Sequence, residues 1–383
     1  MSEKATIRAF ANGGEAVGTL EYGKTVFVRG AVPGEEVEVA IIQDKKRYAR
    51  AELVKVLTPS EQRIKSDCPY FPACPGCSYR HVPYAVELEW KQKQLEYLLR
   101  EFENIKYHDP EGCSKRTEWR NKLTLHIENG KCGYKLDDNT TVLDINECKI
   151  ATEPINSAIK LIDRALDRSV TLRHTLSDGV TEVTRGRQNR KVLSENLGRH
   201  GVFKVRADGF FQTNSEIAEK LVSHVAEAVK ESRTGNLCEL YCGVGVFSVA
   251  CAEKIPNLKC EGVELVKEAV QLASRNAINH SVSDRCEFYT GDAGTMFAKC
   301  SIRKKNDYIL LVDPPRTGMD QQMTDGIKKY LPPEILYISC AADTLARDIK
   351  ILSEYYAPES VKLFDMFPGT AHFETLAVLK RRK

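Results

Sequence analysis

LCELYCGVG, residues 237–245, is the stretch that decides the fold of the second half of the chain. It has the pattern of a buried strand that runs into a Gly-x-Gly turn before a helix. Glycine lets a ligand approach the backbone closely, and the N-terminus of the following helix faces the same point. The pattern therefore predicts a cofactor at this turn, with Gly243 among the residues that bind it.

Helices and strands alternate on both sides of this turn, from about residue 210 to the end of the chain. Apolar residues at helical spacing predict helices at 215–231, 247–254 and 267–278. Short apolar runs predict strands at 236–241, 259–264, 286–290, 308–312, 335–339 and 375–379. Such alternation is typical of the α/β class with a doubly wound, mostly parallel sheet, whose ligands bind at the carboxyl ends of the strands.

The acidic residues that end the next strands help to choose between the possible cofactors. Glu264 lies 21 positions after Gly243, where a carboxylate can accept both ribose hydroxyls of a nicotinamide nucleotide or of S-adenosylmethionine. Position 248 is serine, so the third glycine of a pyrophosphate-binding turn is absent. Asp292 ends the following strand, at a place suited to an adenine amino group, and an Asp-Pro-Pro-Arg tetrad begins at Asp313. That tetrad is typical of methyltransferases that act on nucleobases, so S-adenosylmethionine is favoured.

A cysteine follows the strand at 335–339. Cys340 precedes a helix predicted to begin at about Thr344, and a helix N-terminus lowers the pKa of a nearby thiol. Thiolate attack on carbon 6 of a uracil produces an enolate that accepts a methyl group at carbon 5, after which a base must remove the C5 proton. Glu374, at the start of the last strand, is the favoured base, and His372 is the alternative.

A second cysteine-rich feature lies at residues 66–80, where three prolines exclude regular structure. Cys68, Cys74 and Cys77 have the spacing C-x5-C-x2-C, and the candidates for a fourth ligand are Cys148, which is favoured, Cys113 and Cys132. Three clustered thiolates with one distant partner favour a [4Fe–4S] cluster, and zinc is the alternative.

The first half of the chain has a different pattern. Residues 1–58 alternate in short segments between turns, which predicts a small β-barrel. A helix is predicted at 84–104, strands at 118–127 and 131–136, and a helix at 155–166. Thirteen cysteines, an N-terminus unlike a signal peptide and the absence of an 18-residue apolar run predict a cytoplasmic protein with reduced thiols.

Together these motifs resemble the RNA 5-methyluridine methyltransferases, in particular their iron–sulfur branch, whose best-known members modify 23S ribosomal RNA. The resemblance covers nearly the whole chain. Ser339-Cys340 with residues 345–348, and the segment 365–374 that ends at Glu374, make it specific. It implies a TRAM-like barrel at 1–58, an iron–sulfur and RNA-binding domain at 59–84 and 112–209, and a class I methyltransferase domain at 85–111 and 210–383.

The resemblance also implies roles for single residues. The family's cluster ligands correspond to Cys68, Cys74, Cys77 and Cys148. Its cofactor-binding positions correspond to Gln212 of the segment FFQTN (210–214), Tyr241, Gly243, Glu264, Asp292 and Asp313. Arg120 matches an arginine that faces RNA. Some positions depart from the family. Ala341-Ala342 stands where the family usually has Asn-Pro, Glu239 replaces the usual aspartate, and Val246 stands where some members have an asparagine.

The sequence therefore predicts methyl transfer from S-adenosylmethionine to C5 of a uridine in RNA, with 23S rRNA favoured, through an adduct of Cys340 with carbon 6. We expect a monomer. The alternatives are a tRNA uridine-C5 methyltransferase, an inactive RNA-binding iron–sulfur protein, a nicotinamide oxidoreductase and a cytidine-C5 methyltransferase. The last class carries Pro-Cys or Thr-Cys at the nucleophile, where this chain has Ser339-Cys340.

Overall fold

The structure is a computed structural model of the 383-residue chain that describes residues 2–165, 167–184, 186, 188–305 and 307–382. The chain forms two compact units. The first consists of Met1–Gln94, Ser114–Leu172 and Phe367–His372. The second consists of Leu95–Cys113, Arg173–Met366 and Phe373–Lys383.

The strands and helices are numbered in chain order. The first half contains β1 (Ser2–Phe10), β2 (Ala16–Leu20), β3 (Thr25–Arg29), β4 (Glu36–Asp44), β5 (Tyr48–Thr58), α1 (Tyr84–Leu99), β6 (Lys106–Glu111), β7 (Lys122–Glu128), β8 (Lys131–Lys135), β9 (Val142–Asp144), α2 (Glu153–Leu161), β10 (Arg168–Thr175), β11 (Gly179–Thr184) and β12 (Val192–Asn196). The second half contains β13 (Val202–Arg206), α3 (Ser215–Glu231), β14 (Asn236–Leu240), α4 (Val246–Lys254), β15 (Lys259–Glu264), α5 (Lys267–Asn279), β16 (Cys286–Thr290), α6 (Ala293–Phe297), β17 (Ile309–Val312), α7 (Gln321–Tyr330), β18 (Glu334–Ser339), α8 (Ala342–Leu352), β19 (Tyr356–Phe364) and β20 (Glu374–Arg381).

In the first unit, β1 to β5 form a closed barrel in the order β1-β2-β3-β5-β4. Apolar side chains at alternate positions point inward and are fully buried, as at Val26, Val28, Val37 and Val39. This is the period-two pattern of a half-buried strand. The predicted barrel is confirmed.

In the second unit, eight strands form one sheet in the order β16-β15-β14-β17-β18-β20-β19-β6. The strands from β16 to β18 are parallel, and β20 runs antiparallel between β18 and β19. The four residues of β17 are all buried, as expected for a parallel strand covered on both faces. The predicted α/β class is confirmed. From β14 the later strands β15 and β16 lie on one side and β17 and β18 on the other, so the switch point of the sheet lies between β14 and β17.

Several predicted boundaries are wrong. Helix α1 ends at Leu99 instead of 104, because the chain turns there and Asn104 adopts a left-handed conformation (φ 62°). Helix α2 ends at Leu161, and Leu166, its predicted end, lies outside the described residues. Strands β6 and β19 were not predicted, since each contains a proline and exposed polar residues that hide the apolar pattern.

Among the described residues, no helix is long and apolar enough to cross a membrane.

Candidate functional site

The turn after β14 has the geometry that its sequence predicts. Gly243 and Gly245 have positive φ angles of 53° and 79°. A Cβ atom on Gly245 would lie 2.8 Å from Cζ of Phe288, so this position admits only glycine without a rearrangement. Tyr241 is also left-handed (φ 66°), and non-glycine residues with such strain cluster at functional sites. This turn lies at the carboxyl end of β14, beside β17, at the switch point of the sheet.

A cavity opens above this turn within the second unit. It is lined mainly by apolar and aromatic side chains, with a few polar groups, as cofactor sites are. The predicted cofactor residues among its lining are Gln212, Tyr241, Gly243 and Asp313, accompanied by Phe210, Phe211, Val244 and Phe247. The structure thus brings together four of the six predicted positions.

Glu264 and Asp292 are not among the described lining residues, and their side chains serve the neighbouring backbone. Glu264 accepts a hydrogen bond from the backbone N–H of Gly243 at 3.1 Å and one from Val266 at 2.9 Å. Asp292 caps α6 by accepting a bond from Thr295 at 2.9 Å. Glu264 therefore fixes the glycine turn and lies next to the cavity.

Two carboxyl groups near the turn have raised pKa values. Glu239 is buried in β14 and accepts bonds from the backbone and hydroxyl of Ser248, at the start of α4. Burial raises the pKa of Glu239 to about 8, and burial also raises the pKa of Asp313 to about 7. Sequence reasoning noted Glu239 only as a departure. Its clear signal was a charged residue inside an otherwise apolar strand.

The pairing of β18 with β20 brings the predicted nucleophile and base together. Because the two strands are antiparallel, the carboxyl end of β18 meets the start of β20, and Ser339 is the register partner of Thr375. The Thr375 hydroxyl also donates to the Ser339 carbonyl at 3.1 Å. Cys340 directly follows this pair on one strand, and Glu374 directly precedes it on the other.

The electrostatics of this pair differ from what helix proximity alone predicts. Helix α8 begins at Ala342, two residues nearer to Cys340 than expected. Even so, burial and the carboxylates of Glu374 and Asp313 raise the pKa of Cys340 to about 11, and Arg316 only partly offsets them. Glu374 is 5% exposed, and burial together with Asp313 raises its pKa well above the usual range.

These shifts predict how the activity depends on pH. Below a pKa of about 11 the thiolate fraction of Cys340 grows about tenfold with each pH unit, and the unprotonated fraction of Glu374 grows as well. If Cys340 and Glu374 act as the predicted nucleophile and base, the single-turnover rate of the predicted methyl transfer, at saturating cofactor and RNA, should rise steadily between about pH 6 and pH 9. A flat or falling profile over this range would contradict the assigned roles.

The alternative base and the predicted RNA contact both belong to the first unit. His372 is exposed, with its ring 6.3 Å from that of Phe367. Arg120 is half-buried, donates to the Lys122 carbonyl at 2.9 Å and lies 5.9 Å from the centre of the Trp119 ring. Arg120 also lines the cavity formed by the predicted cluster ligands, so its role toward RNA stays a prediction.

The four predicted ligand cysteines line one cavity in the first unit. Cys68, Cys74, Cys77 and Cys148 surround it, all as free thiols. Burial raises the pKa of Cys74 to about 11, and its electrostatic interaction with Cys148 and Cys68 adds to the rise. The Tyr134 hydroxyl donates to the sulfur of Cys148 at 3.5 Å.

The other two candidates do not line this cavity, as far as the chain is described. Cys132 is buried in β8. Cys113 belongs to the second unit, where its thiol lies 3.2 Å from Glu216. In the described residues no group of three or more His, Cys, Asp or Glu side chains is arranged to hold a metal ion. The structure therefore gathers the four thiols around one cavity.

Two sequence families match this chain. The family described as tRNA (Uracil-5-)-methyltransferase matches residues 189–382, which is the greater part of the second unit. The TRAM domain family matches residues 3–54, which corresponds to the closed barrel of β1 to β5.

Individual relatives match over nearly the whole chain. An uncharacterized RNA methyltransferase of Aquifex aeolicus is 31% identical over 98% of this chain and 98% of its own length. The tRNA (uracil(54)-C(5))-methyltransferase of Schizosaccharomyces pombe is 30% identical over 93% of this chain and 73% of its own. The crystal structure of Pyrococcus abyssi tRNA (uracil-54, C5)-methyltransferase with S-adenosyl-L-homocysteine has a TM-score of 0.77, with 24% identity, and covers 98% of this chain and 100% of its own.

Proposed function

The chain belongs to the family of tRNA (uracil-5-)-methyltransferases, and from this premise we propose that it methylates C5 of a uridine in RNA with S-adenosylmethionine, using Cys340 as nucleophile. The observation that carries the proposal is the pairing of Ser339 with Thr375. It sets a thiol and a buried carboxyl group side by side at the carboxyl ends of the parallel strands. The glycine turn after β14 lies at the same end of the sheet.

Each group has a task that its chemistry suits. The thiolate of Cys340 bonds to carbon 6 of uracil and moves electron density to carbon 5. S-adenosylmethionine supplies the methyl group when bound. Glu374, as carboxylate, takes the C5 proton, and the electron pair of that C–H bond expels the thiolate from carbon 6. Burial of Glu374 raises its pKa and so makes it a stronger base than a solvated glutamate.

Four of the six predicted cofactor residues line the cavity, and Glu264 and Asp292 are not among its described lining. In our proposal Gln212 and Tyr241 contact the cofactor directly, because both line the cavity. Glu264 would accept the ribose hydroxyls while keeping the N–H of Gly243 in place. Asp292 would reach adenine only if its cap on Thr295 left an oxygen available.

Replacement of Glu264 tests this assignment. We expect Glu264→Ala to weaken binding of S-adenosylmethionine by about 10- to 100-fold, the scale of losing hydrogen bonds to a charged group. Titration calorimetry would measure it. Glu268→Ala removes an exposed carboxylate four residues further on, in α5, and should bind like the wild type. Equal affinities for both variants would remove Glu264 from the site.

Covalent trapping tests the proposed function as a whole. RNA that contains 5-fluorouridine carries a fluorine at C5 that cannot be removed as a proton. With S-adenosylmethionine it should therefore form an adduct with the protein that survives denaturation, and sequencing of the trapped RNA would identify the target. No adduct from protein that binds the cofactor would count against uridine C5 as the methylated position.

The RNA target is proposed on two different grounds. Resemblance to the cluster-bearing branch supports 23S rRNA as the first candidate. The family description and the name of the Schizosaccharomyces pombe relative support a tRNA uridine as the second. Trapping from total RNA distinguishes them, because the adduct would contain either ribosomal or transfer RNA sequence.

We also propose a [4Fe–4S] cluster in the four-cysteine cavity. The donor set suits it, since Cys68, Cys74, Cys77 and Cys148 are free thiols around one space, with a hydroxyl of Tyr134 on one sulfur. The cluster would hold the proline-rich loop, and the methyl transfer requires no electron from it.

Metal analysis of Cys77→Ser tests the cluster. We expect anaerobically purified wild-type protein to hold about four iron atoms per chain and to absorb visible light, and Cys77→Ser to lose both. Its melting temperature should also fall, because metal binding adds to folding stability. Cys132→Ala, a buried cysteine outside the cavity, should keep the iron. One zinc per chain, or no metal in the wild type, would refute the proposal.

A further inference from the structure

Asp348 is a fully buried carboxylate in α8 that no step of the proposed reaction uses. One of its oxygens accepts a bond from the backbone N–H of Met319 at 2.8 Å and one from the Tyr337 hydroxyl at 2.7 Å. Burying a carboxylate costs folding free energy unless hydrogen bonds or a cation compensate for it, so these partners stabilise Asp348 in its buried position. They come from two other parts of the site, namely the loop after β17 and strand β18.

Arg347 completes this connection. Its guanidinium donates to the other oxygen of Asp348 at 2.6 and 2.9 Å and to the Thr317 carbonyl at 2.8 Å. Gly318 lies between the two bonded residues Thr317 and Met319 and has a φ angle of 76°. A Cβ atom at this position would lie 2.4 Å from the Arg347 guanidinium and 2.6 Å from Asp348. The loop therefore approaches α8 as closely as a glycine permits. We name the contacts of Arg347 and Asp348 with residues 317–319 the latch.

The loop held by the latch carries a cation that interacts electrostatically with the nucleophile. The charged groups that act electrostatically on the Cys340 thiol are Glu374 from β20 and Asp313 and Arg316 from this loop. Arg316 alone of these favours the thiolate. Asp313 is held at the end of the sheet, since its N–H donates to Leu240 at 3.4 Å. Arg316 lies three residues beyond it and directly before the residues that the latch binds.

We propose that Asp348 is a positioning residue for methyl transfer: through Arg347 it fixes the loop 313–319 and so holds Arg316 where its charge acts on the thiol of Cys340. Helix α8 starts two residues after Cys340, so one helix holds both the chain that carries the thiol and the loop that carries the cation. The inference rests on the proposed function only in naming Cys340 as the nucleophile.

Alkylation of Cys340 by iodoacetamide tests the latch without RNA or cofactor. The rate at one pH below the thiol pKa, followed by mass spectrometry of the peptide that contains Cys340, is proportional to the thiolate fraction. We expect Asp348→Asn, Arg347→Met and Arg316→Gln each to slow it by about three- to tenfold at pH 8.5, as an exposed neighbouring charge would. Asp325→Asn, an exposed aspartate in α7, is the matched control and should leave the rate unchanged.

A double variant separates positioning from general loss of structure. If the latch acts through Arg316, the double variant Asp348→Asn/Arg316→Gln should react no more slowly than Arg316→Gln alone. Arg347→Met leaves the bonds of Asp348 to Met319 and Tyr337 in place, so it tests the idea even if Asp348→Asn does not fold. Additive slowing, or wild-type rates in folded Arg347→Met protein, would overturn the inference.

The result of the alkylation experiment does not depend on whether the trapping experiment supports the proposed function. A failed trapping experiment with a slowed, non-additive alkylation pattern would leave the latch intact and change only the substrate. Normal trapping with unchanged alkylation in the latch variants would keep the function and remove the latch.

Discussion

Replacing Cys340 with alanine is expected to abolish methyl transfer, with a loss on the order of 10⁴-fold or more, the scale of removing an enzymatic nucleophile. Without the thiolate, carbon 5 of uracil has no enolate character and cannot accept the methyl group. Affinity for S-adenosylmethionine should stay within a few-fold of the wild type, because Cys340 is not among the residues that line the cofactor cavity. Transfer of labelled methyl groups to RNA, with calorimetry of cofactor binding, would measure both.

A second cysteine provides the control for this experiment. Cys251 is fully buried in α4, and Cys251→Ala should keep the activity and lose roughly 1 kcal/mol of stability from the small cavity. If Cys340→Ala transferred methyl groups at a rate within tenfold of Cys251→Ala, Cys340 could not be the nucleophile.

Replacing Glu374 with glutamine is expected to stop the reaction at a later point. The thiolate can still attack carbon 6 and the methyl group can still be transferred, but the C5 proton has no base to take it. We expect turnover to fall by about 10²- to 10⁴-fold, the contribution of a positioned general base. At the same time a covalent complex with ordinary, unfluorinated RNA should accumulate, which denaturing gel electrophoresis would detect.

This accumulation distinguishes the base from a residue that only supports the fold. Glu359 is an exposed glutamate in the neighbouring strand β19, and Glu359→Gln should turn over normally without a trapped complex. A Glu374→Gln protein that loses activity but traps no RNA would assign the base to another group. His372→Gln should then be tested in the same way.

Much of the secondary structure of the second unit was predicted from local sequence. The bounds of α3, β15 and β16 agree with the predicted ones at 215–231, 259–264 and 286–290. Helix α3 has a long apolar pattern along one face, and β15 has the continuous burial of a parallel strand that lies between two others. The glycine turn at 243–245 was equally clear, because a left-handed backbone leaves few residue types.

Local sequence predicted secondary structure least well where tertiary packing, and not the pattern of apolar residues, defines a strand. Edge strand β6 pairs with β19 in a register that neither segment displays by itself, since prolines and charges interrupt both. Strands β12 and β13 form their own antiparallel pair and were also not predicted. Strand β6 in particular is defined by its partner, and that partner, β19, lies far away in the sequence.

The sequence by itself determined which groups are available at the site: a thiol at Cys340 after one strand, a carboxyl group at Glu374 before another, and four cysteines around a proline-rich loop. Only the tertiary structure decided what surrounds them. Antiparallel pairing of β18 with β20 sets Cys340 beside Glu374 and buries the carboxyl group, which raises both pKa values although a helix N-terminus lies nearby. The physical reason is that desolvation and like charge depend on every group that packs around a site, and these groups come from segments that sequence spacing does not connect.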